Sequence, residues 1–412
     1  MKKFLLATTA LIAASAFAGL AHAADAQGVR LGLGGYYKGA VGSIIEDDVN
    51  QLAAVGFAPN TRDTAVKQDV EVWFMGESTL DNGLTVGARV ELEGIDQTAS
   101  ATGAGQIDEV FAYLRGSFGE IRIGNEDDVR RLKGVVAPQA SKVFTSDDYN
   151  NTHLAFTNNP FSRGVGTLFT ASNFFANNLA GQNSTLPNVE NDGAKIVYLS
   201  PSFNGFSLGV SFAPTGNAIG NNNAGTTPVG VITGLINSHA WSFAGNYDGR
   251  FDQVKVMASL GYTDSNREGS LTNNADDVSA WAAGLSFGFR NFALGGSYSK
   301  VSDAGGLGVT AATADGNDIT VWNIGGTYET GPYTVGISFS EGEYAVNATN
   351  EPTLSTWVFS GSYALGPGIT LDAAITHNDF DRDGTATAAI GGLSTTADYQ
   401  DTAIMVGSSI KF

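Results

Sequence analysis

The chain has 412 residues, 42% of them hydrophobic, with 53 glycines, no cysteine, and 22 Lys and Arg against 41 Asp and Glu, for a net charge of −19. Without cysteine there are no disulfides and no thiolate metal sites, so the fold must rest on hydrogen bonds and burial alone. So acidic a chain repels nucleic acid, which excludes that class of partner.

Lys2 and Lys3 precede an apolar run from Phe4 to about Leu20, and Ala21-His22-Ala23 fits a small-x-small cleavage site. Residues 1–23 therefore read as a secretory signal peptide, leaving 24–412 as a single domain. Its removal would take two lysines and move the net charge from −19 to −21. Beyond Ala23 nothing approaches the ~18 consecutive apolar residues of a membrane-spanning helix. Strands that alternate apolar and polar residues offer the other way across, provided they close into a barrel that pairs every backbone group.

The strands follow in chain order. A first runs from about Val29 to Val41. Seven hairpins come next, with tight turns at Asp81-Asn82-Gly83, Ser117-Phe118-Gly119, Pro201 to Gly205, Gly249-Arg250, Arg290-Asn291, Thr330-Gly331-Pro332 and Gly366-Pro367-Gly368. A last strand runs from about Tyr399 to Phe412. Each hairpin is separated from the next by a long polar loop, and short turns at one end with long loops at the other describe a barrel inserted from one side of a membrane. The alternation is explicit: Phe206, Leu208, Val210 and Phe212 against Ser207, Gly209, Ser211 and Ala213, or Tyr333, Val335, Ile337 and Phe339 against Thr334, Gly336, Ser338 and Ser340. Inward faces so poor in bulk suit a wet interior rather than a sandwich core. Aromatic sets such as Trp241, Phe243 and Tyr247, or Trp357, Phe359 and Tyr363, fit interfacial girdles. The fold expected is thus all-β, a transmembrane antiparallel β-barrel of sixteen strands, wide enough for an aqueous channel. An additional strand pair around Leu154–Phe156 and Gly166–Thr170 would make eighteen; sixteen is preferred.

The third loop, 125–193, far exceeds the others, and structureless loops beyond about 12–15 residues are usually functional or disordered. It opens on Glu126-Asp127-Asp128, followed by Arg130, Arg131 and Lys133. Folded into the lumen, it would narrow the hole and set charges across it. Alternation places Arg30, Lys38, Arg89 and Arg122 on the lumen side, opposite outward Leu31, Leu33, Ala88, Val90, Ile121 and Ile123. In the last loop, Asp379, Asp381 and Asp383 with Gly384 resemble the start of a calcium loop, although Ile390 stands where the twelfth-position Glu is needed. No cofactor is required by this reading, and calcium is the one candidate. A barrel hydrolase is the competing class. Only His153, His239 and His377 remain after the signal, and no Ser or Asp partner is recognisable by spacing.

The runs Asp81-Asn82-Gly83-Leu84-Thr85-Val86-Gly87, Gly116-Ser117-Phe118-Gly119-Glu120-Ile121-Arg122-Ile123-Gly124 and Tyr198-Leu199-Ser200-Pro201-Ser202-Phe203-Asn204-Gly205-Phe206, with a terminal strand ending in Phe412, resemble the Gram-negative general porins of the alphaproteobacterial type. The resemblance spans essentially the whole chain. It implies a homotrimer in the outer membrane that passes small hydrophilic solutes and ions passively, with the third loop folded inward as an eyelet. It implies that loop acids Glu126, Asp127, Asp128, Asp147 and Asp148 face the basic wall residues, and that Phe412 is the signal read by the barrel-assembly machinery. Contact with outer-leaflet lipopolysaccharide is a further expectation. The net charge argues for mild cation selectivity, against which the wall arginines pull. A substrate-specific channel is the alternative, and for a sugar it would need aromatic residues along the lumen, whereas most aromatics here alternate outward.

Overall fold

A computed structural model describes residues 28–47, 63–94, 107–146, 184–186, 193–215, 236–268, 277–303, 318–344, 351, 353–381 and 399–412. Sixteen strands follow one another: β1 Arg30–Asp47, β2 Thr64–Thr79, β3 Thr85–Glu93, β4 Ile107–Gly116, β5 Gly119–Asn125, β6 Ala194–Leu199, β7 Phe206–Thr215 and β8 Ile236–Phe251. The second half comprises β9 Val254–Glu268, β10 Val278–Phe289, β11 Phe292–Ser302, β12 Ile319–Thr330, β13 Tyr333–Tyr344, β14 Thr353–Gly366, β15 Ile369–Asp381 and β16 Tyr399–Lys411. Every strand pairs with its sequence neighbours, and β1 pairs with β16, so the sheet closes into an all-antiparallel barrel. The segments weighed as an additional strand pair lie outside the described residues. The wall has no gap for them, because β5 pairs directly with β6 from Glu120↔Leu199 to Asn125↔Ala194.

Two expected boundaries shift. The first strand continues past Val41 to Asp47, because its far half is laddered on both sides, to β2 through Ser43↔Thr64 and to β16 through Asp47↔Asp401. The fourth turn lies at Asp252-Gln253 and not at Gly249-Arg250. Asp252 adopts φ 53°, a left-handed conformation that Asp tolerates better than most residues. Gly249 is a strand residue whose missing side chain leaves room for the Tyr247 phenol.

The period of two sorts the faces as the alternation requires. Outward, Leu208, Val335, Leu371 and Ile375 are exposed, while Ser207, Ser338, Asp372 and Ala374 beside them are buried inward. Aromatic side chains gather in two belts on β7 to β14. Near the turns Phe206 meets Tyr247 with ring centroids 4.6 Å apart, Phe292 meets Tyr328 at 4.7 Å and Tyr333 meets Tyr363 at 5.0 Å. Near the loops Phe212 meets Trp241 at 4.6 Å, Trp281 meets Tyr298 at 4.8 Å and Phe339 meets Trp357 at 4.5 Å. Tyr333 and Phe339, six residues apart on β13, span roughly 20 Å of strand, a separation suited to the apolar band between two girdles.

The seam closes on the last residue. Gly35 and Phe412 exchange both backbone hydrogen bonds at 3.0 Å, and the Phe412 ring occupies the space that a side chain on Gly35 would need.

Candidate pore constriction

The third loop turns inward at once. Asp128 caps a single-turn helix, α1 (Val129–Leu132), its carboxylate accepting from the backbone N–H groups of Arg130 at 2.7 Å and Arg131 at 3.1 Å. The chain then runs along the inner wall by way of small polar side chains. Val129 donates its N–H to Ser211 on β7 at 3.4 Å, and Val135 to Ser259 on β9 at 2.9 Å. Ala137 donates to Asn323 on β12, Ser338 on β13 donates to Gln139, and Ser141 and the Lys142 N–H both donate to Asp372 on β15. Val143 and Phe144 follow, buried with Ala40, Val358, Ala374, Ala403 and Met405, and the Ser146 carbonyl accepts from Ser340 on β13 at 2.6 Å.

A row of glycines seats this segment. A Cβ on Gly209 would lie 3.0 Å from Val129, one on Gly261 2.7 Å from the Arg130 side chain and one on Gly325 2.8 Å from the Pro138 carbonyl. On Gly336 it would meet Ala140 at 3.0 Å, on Gly407 Phe144 at 3.1 Å, and on Gly284 it would fall inside the Val135 carbonyl. The wall is thinned where the loop lies, so the described stretch 129–146 covers the β6 to β16 side and, among the described residues, leaves the lumen open toward β1 to β5.

That open side carries the charges. Near the turns a chain of alternating sign crosses the strands: Arg30 to Glu77 at 2.9 Å, Glu77 to Arg115 at 3.0 Å, Arg115 to Glu120 at 3.6 Å, Glu120 to Arg122 at 2.6 Å and Arg122 to Glu126 at 2.6 Å. Nearer the loops Lys38 pairs with Asp69 at 3.5 Å and Arg89 with Glu91, while register sets Glu71 opposite Glu93. Interleaved with them are rings that face the lumen. Lys38 lies 4.7 Å over Tyr36, Arg89 4.5 Å over Trp73, Arg122 4.9 Å over Phe111 and Arg115 5.3 Å over Tyr113. Fixed charges of both signs on a solvated wall orient water and disfavour apolar solutes.

The basic wall residues Arg30, Lys38, Arg89 and Arg122 thus share the lumen face, each with a carboxylate partner. The acids at the loop's root sit differently from a free acidic rim. Glu126 is buried against Arg122, Asp127 pairs with Arg131 at 3.3 Å, and Asp128 is fully buried against Arg130 at 3.1 Å. Asp147 and Asp148 lie outside the described residues, as do His153 and Asp383. The described inward stretch 129–146 carries Arg130, Arg131, Lys133 and Lys142 and no acid. Two of these cations, Arg130 and Arg131, are matched by Asp128 and Asp127 at the loop's own root.

The lumenal rings Tyr36, Trp73, Phe111 and Tyr113 correct the expectation of an inward face without bulk, which holds only for β7 to β16. Trp73 alternates with Glu71 and Met75, whereas Val70, Val72 and Phe74 face outward. That shared period with charged residues was the signal in the sequence. These rings are covered by the protein's own cations and not presented bare. As for calcium, Asp379 and Asp381 belong to β15 and not to a loop. Asp379 accepts from Gln400 at 3.0 Å, and the remainder of the motif, Asp383 and Gly384, lies outside the described residues. His239 and His377 stand on β8 and β15, with six strands between them.

Burial pushes the Asp128 carboxyl up, but Arg130, Lys195 and Arg131 outweigh it and hold the group below the usual carboxylate range. A depressed folded value means that its contribution to loop docking is fully present above the unfolded value and is lost as pH falls through the folded one. Limited proteolysis of the loop is therefore expected to be unchanged from neutral to mildly acidic pH and to rise only in stronger acid. Opening in the mildly acidic range would contradict this.

The sequence matches the family model described as Gram-negative porin over residues 7–383. Among solved structures, an anion-selective porin from Comamonas acidovorans aligns at 17% identity and a TM-score of 0.58, covering 93% of this chain and 100% of that one. The outer membrane channel DcaP of Acinetobacter baumannii aligns at 15% identity and 0.57, covering 95% of this chain and 100% of that one. At such identities the likeness is one of fold. No curated protein matches the sequence.

Proposed function

Because the chain belongs to the Gram-negative porin family and so forms an outer-membrane channel for passive diffusion of small hydrophilic solutes, we propose that its charged wall gives the channel a mild preference for cations. The observation that carries this reading is the composition of the open side of the lumen. Near the turns Arg30, Arg115 and Arg122 are matched by Glu77, Glu120 and Glu126. Toward the loops Asp69, Glu71, Glu91 and Glu93 stand against Lys38, Lys67 and Arg89. The excess there is acidic, as is the whole chain at −19, and fixed charge along a pore biases which ions enter it.

A trimer is part of the same proposal. The girdle aromatics are concentrated on β7 to β14, whereas the outward faces of β3 to β5 carry Val86, Ala88, Val90, Val110, Ala112, Leu114, Ile121 and Ile123. A sector without the aromatic rings that meet headgroups suits contact with another copy. Reading of Phe412 by an assembly factor belongs to the proposal too, supported by its 59% exposure on the outer surface at the seam.

Planar-bilayer recording of the refolded protein in a KCl gradient tests the reading. The expected result is conductance arriving in steps of three with a reversal potential on the cation side. Glu71→Gln with Glu93→Gln should reduce the K⁺/Cl⁻ permeability ratio by roughly twofold. A clear anion preference in the unaltered protein would overturn the selectivity, and persistent silence from a folded barrel would overturn the open pore.

A further inference from the structure

We propose that Trp73 is a positioning residue of the pore, holding the cationic heads of Arg89 and Lys411 against the wall and so setting the charge that permeating ions meet. The inference rests on the diffusion-channel reading but not on the sign of its selectivity. A tryptophan facing a water-filled lumen exposes apolar surface unless that surface is used, and the other tryptophans, Trp241, Trp281, Trp322 and Trp357, all face outward. Trp73 alone turns in.

Its surroundings show the use. Gly34 across the β1–β2 ladder has no side chain, and a Cβ there would stand 3.1 Å from the indole. The ring therefore packs onto the β1 backbone. Tyr36 meets its edge at 6.2 Å and 70°, and its N–H donates to the Glu71 carboxylate. Arg89 from β3 lies 4.5 Å over the ring and Lys411 from β16 lies 5.6 Å over it. One indole thus gathers cations from strands on either side of the β1–β2 pair, next to the β1–β16 seam.

Long cationic side chains in a lumen are free to sweep across it unless something holds their heads. Glu91 restrains Arg89. Lys411 has no carboxylate partner among the described residues, so the ring is its restraint. A cation over an indole gains electrostatically from the ring quadrupole and packs its stem against the face. With the ring gone, the Lys411 head can extend into the ion path and Arg89 is held by Glu91 alone, so the charge that ions meet shifts toward attracting anions and repelling cations.

The test is the reversal potential of the full-length barrel in a KCl gradient. Trp73→Ala should lower the K⁺/Cl⁻ permeability ratio by roughly twofold, and Trp73→Phe, which keeps an aromatic face, should stay near the unaltered value. In a chain already carrying Arg89→Gln and Lys411→Gln, Trp73→Ala should leave the ratio unchanged. A merely structural role predicts an equal effect in both backgrounds and would overturn the proposal, as would no effect of Trp73→Ala in the first. A second measurement stands if Trp73→Ala does not refold. The fluorescence lost between the unaltered protein and Trp73→Phe isolates the lumenal indole. Relative to a free neutral indole in solution, the iodide-to-caesium quenching ratio of that component should be raised, and Arg89→Gln with Lys411→Gln should bring it back to the free-indole ratio. A ratio in the unaltered protein no higher than that of the free indole would overturn the proposal whether or not the channel conducts.

Discussion

Replacing Gly284 by valine is expected to lift the inward loop from the wall at Val135 and to cut single-channel conductance to less than about half. Any Cβ at this position falls inside the Val135 carbonyl, and the Val135 side chain would stand 3.1 Å away. The strand cannot yield, because β10 is laddered to β9 through Gly284↔Ser259 and to β11 through Gly284↔Ser297. The loop is the softer partner, held here by the bond from the Val135 N–H to Ser259. Overpacking of this kind typically costs about 1–3 kcal/mol, enough to displace a segment held by single hydrogen bonds while the barrel stays closed. Gly326 is the matched control. It faces outward, and a Cβ there would meet only ordinary contacts at 3.5 and 3.6 Å, so Gly326→Val should conduct normally. If Gly284→Val also conducts normally and its loop resists protease as before, the loop does not lie on this wall.

Arg130→Ala is expected to undock the root of the same loop. Arg130 is 1% exposed. It pairs with the fully buried Asp128 at 3.1 Å, donates to Thr263 on β9 at 3.2 Å, and fills the space left by Gly261. Removing one partner of a buried pair leaves the other charge uncompensated, which costs about 3–5 kcal/mol. Here Asp128 must also continue to cap α1 while stripped of its main counter-charge. Protease cleavage within the loop and flickering of single channels should both rise, while resistance of the barrel to thermal unfolding is retained. Arg130→Met keeps much of the packing and, combined with Asp128→Asn, should restore much of the docking. If the double variant is worse than Arg130→Ala alone, charge compensation is not what holds the root.

The wall was legible in the sequence because a period of two leaves no ambiguity when one face is apolar and the other small, as along Phe206 to Ala213. Sixteen strands and the lumen side of Arg30, Lys38, Arg89 and Arg122 follow from that pattern and from the turn spacing, whereas the inward third loop was what the family resemblance implied. The turn at Asp252-Gln253 was hidden because Gly249 carries a stronger turn signal, and only the tertiary contact with Tyr247 shows why glycine stands there. The constriction was harder. Glu126, Asp127 and Asp128 stand within five residues of Arg130 and Arg131, and no linear pattern shows that folding pairs the two sets with each other and with Arg122. The glycine seat was equally opaque, since Gly209, Gly261, Gly284, Gly325, Gly336 and Gly407 become a row only once the ten strands β7 to β16 stand side by side. Trp73, by contrast, could have been placed: its neighbours Glu71 and Met75 mark the inward register.

The exchange of hydrogen bonds between Gly35 and Phe412 bears on how the protein resists destruction. A finished ring has no fraying end, so opening it begins only by breaking a complete seam, which here runs from Tyr36↔Lys411 to Asp47↔Asp401. Until the last residue is in place the growing sheet has two bare edges, each a template for mispairing with another chain. The same contact therefore separates a species that must be chaperoned from one whose lifetime is set by a high barrier to opening.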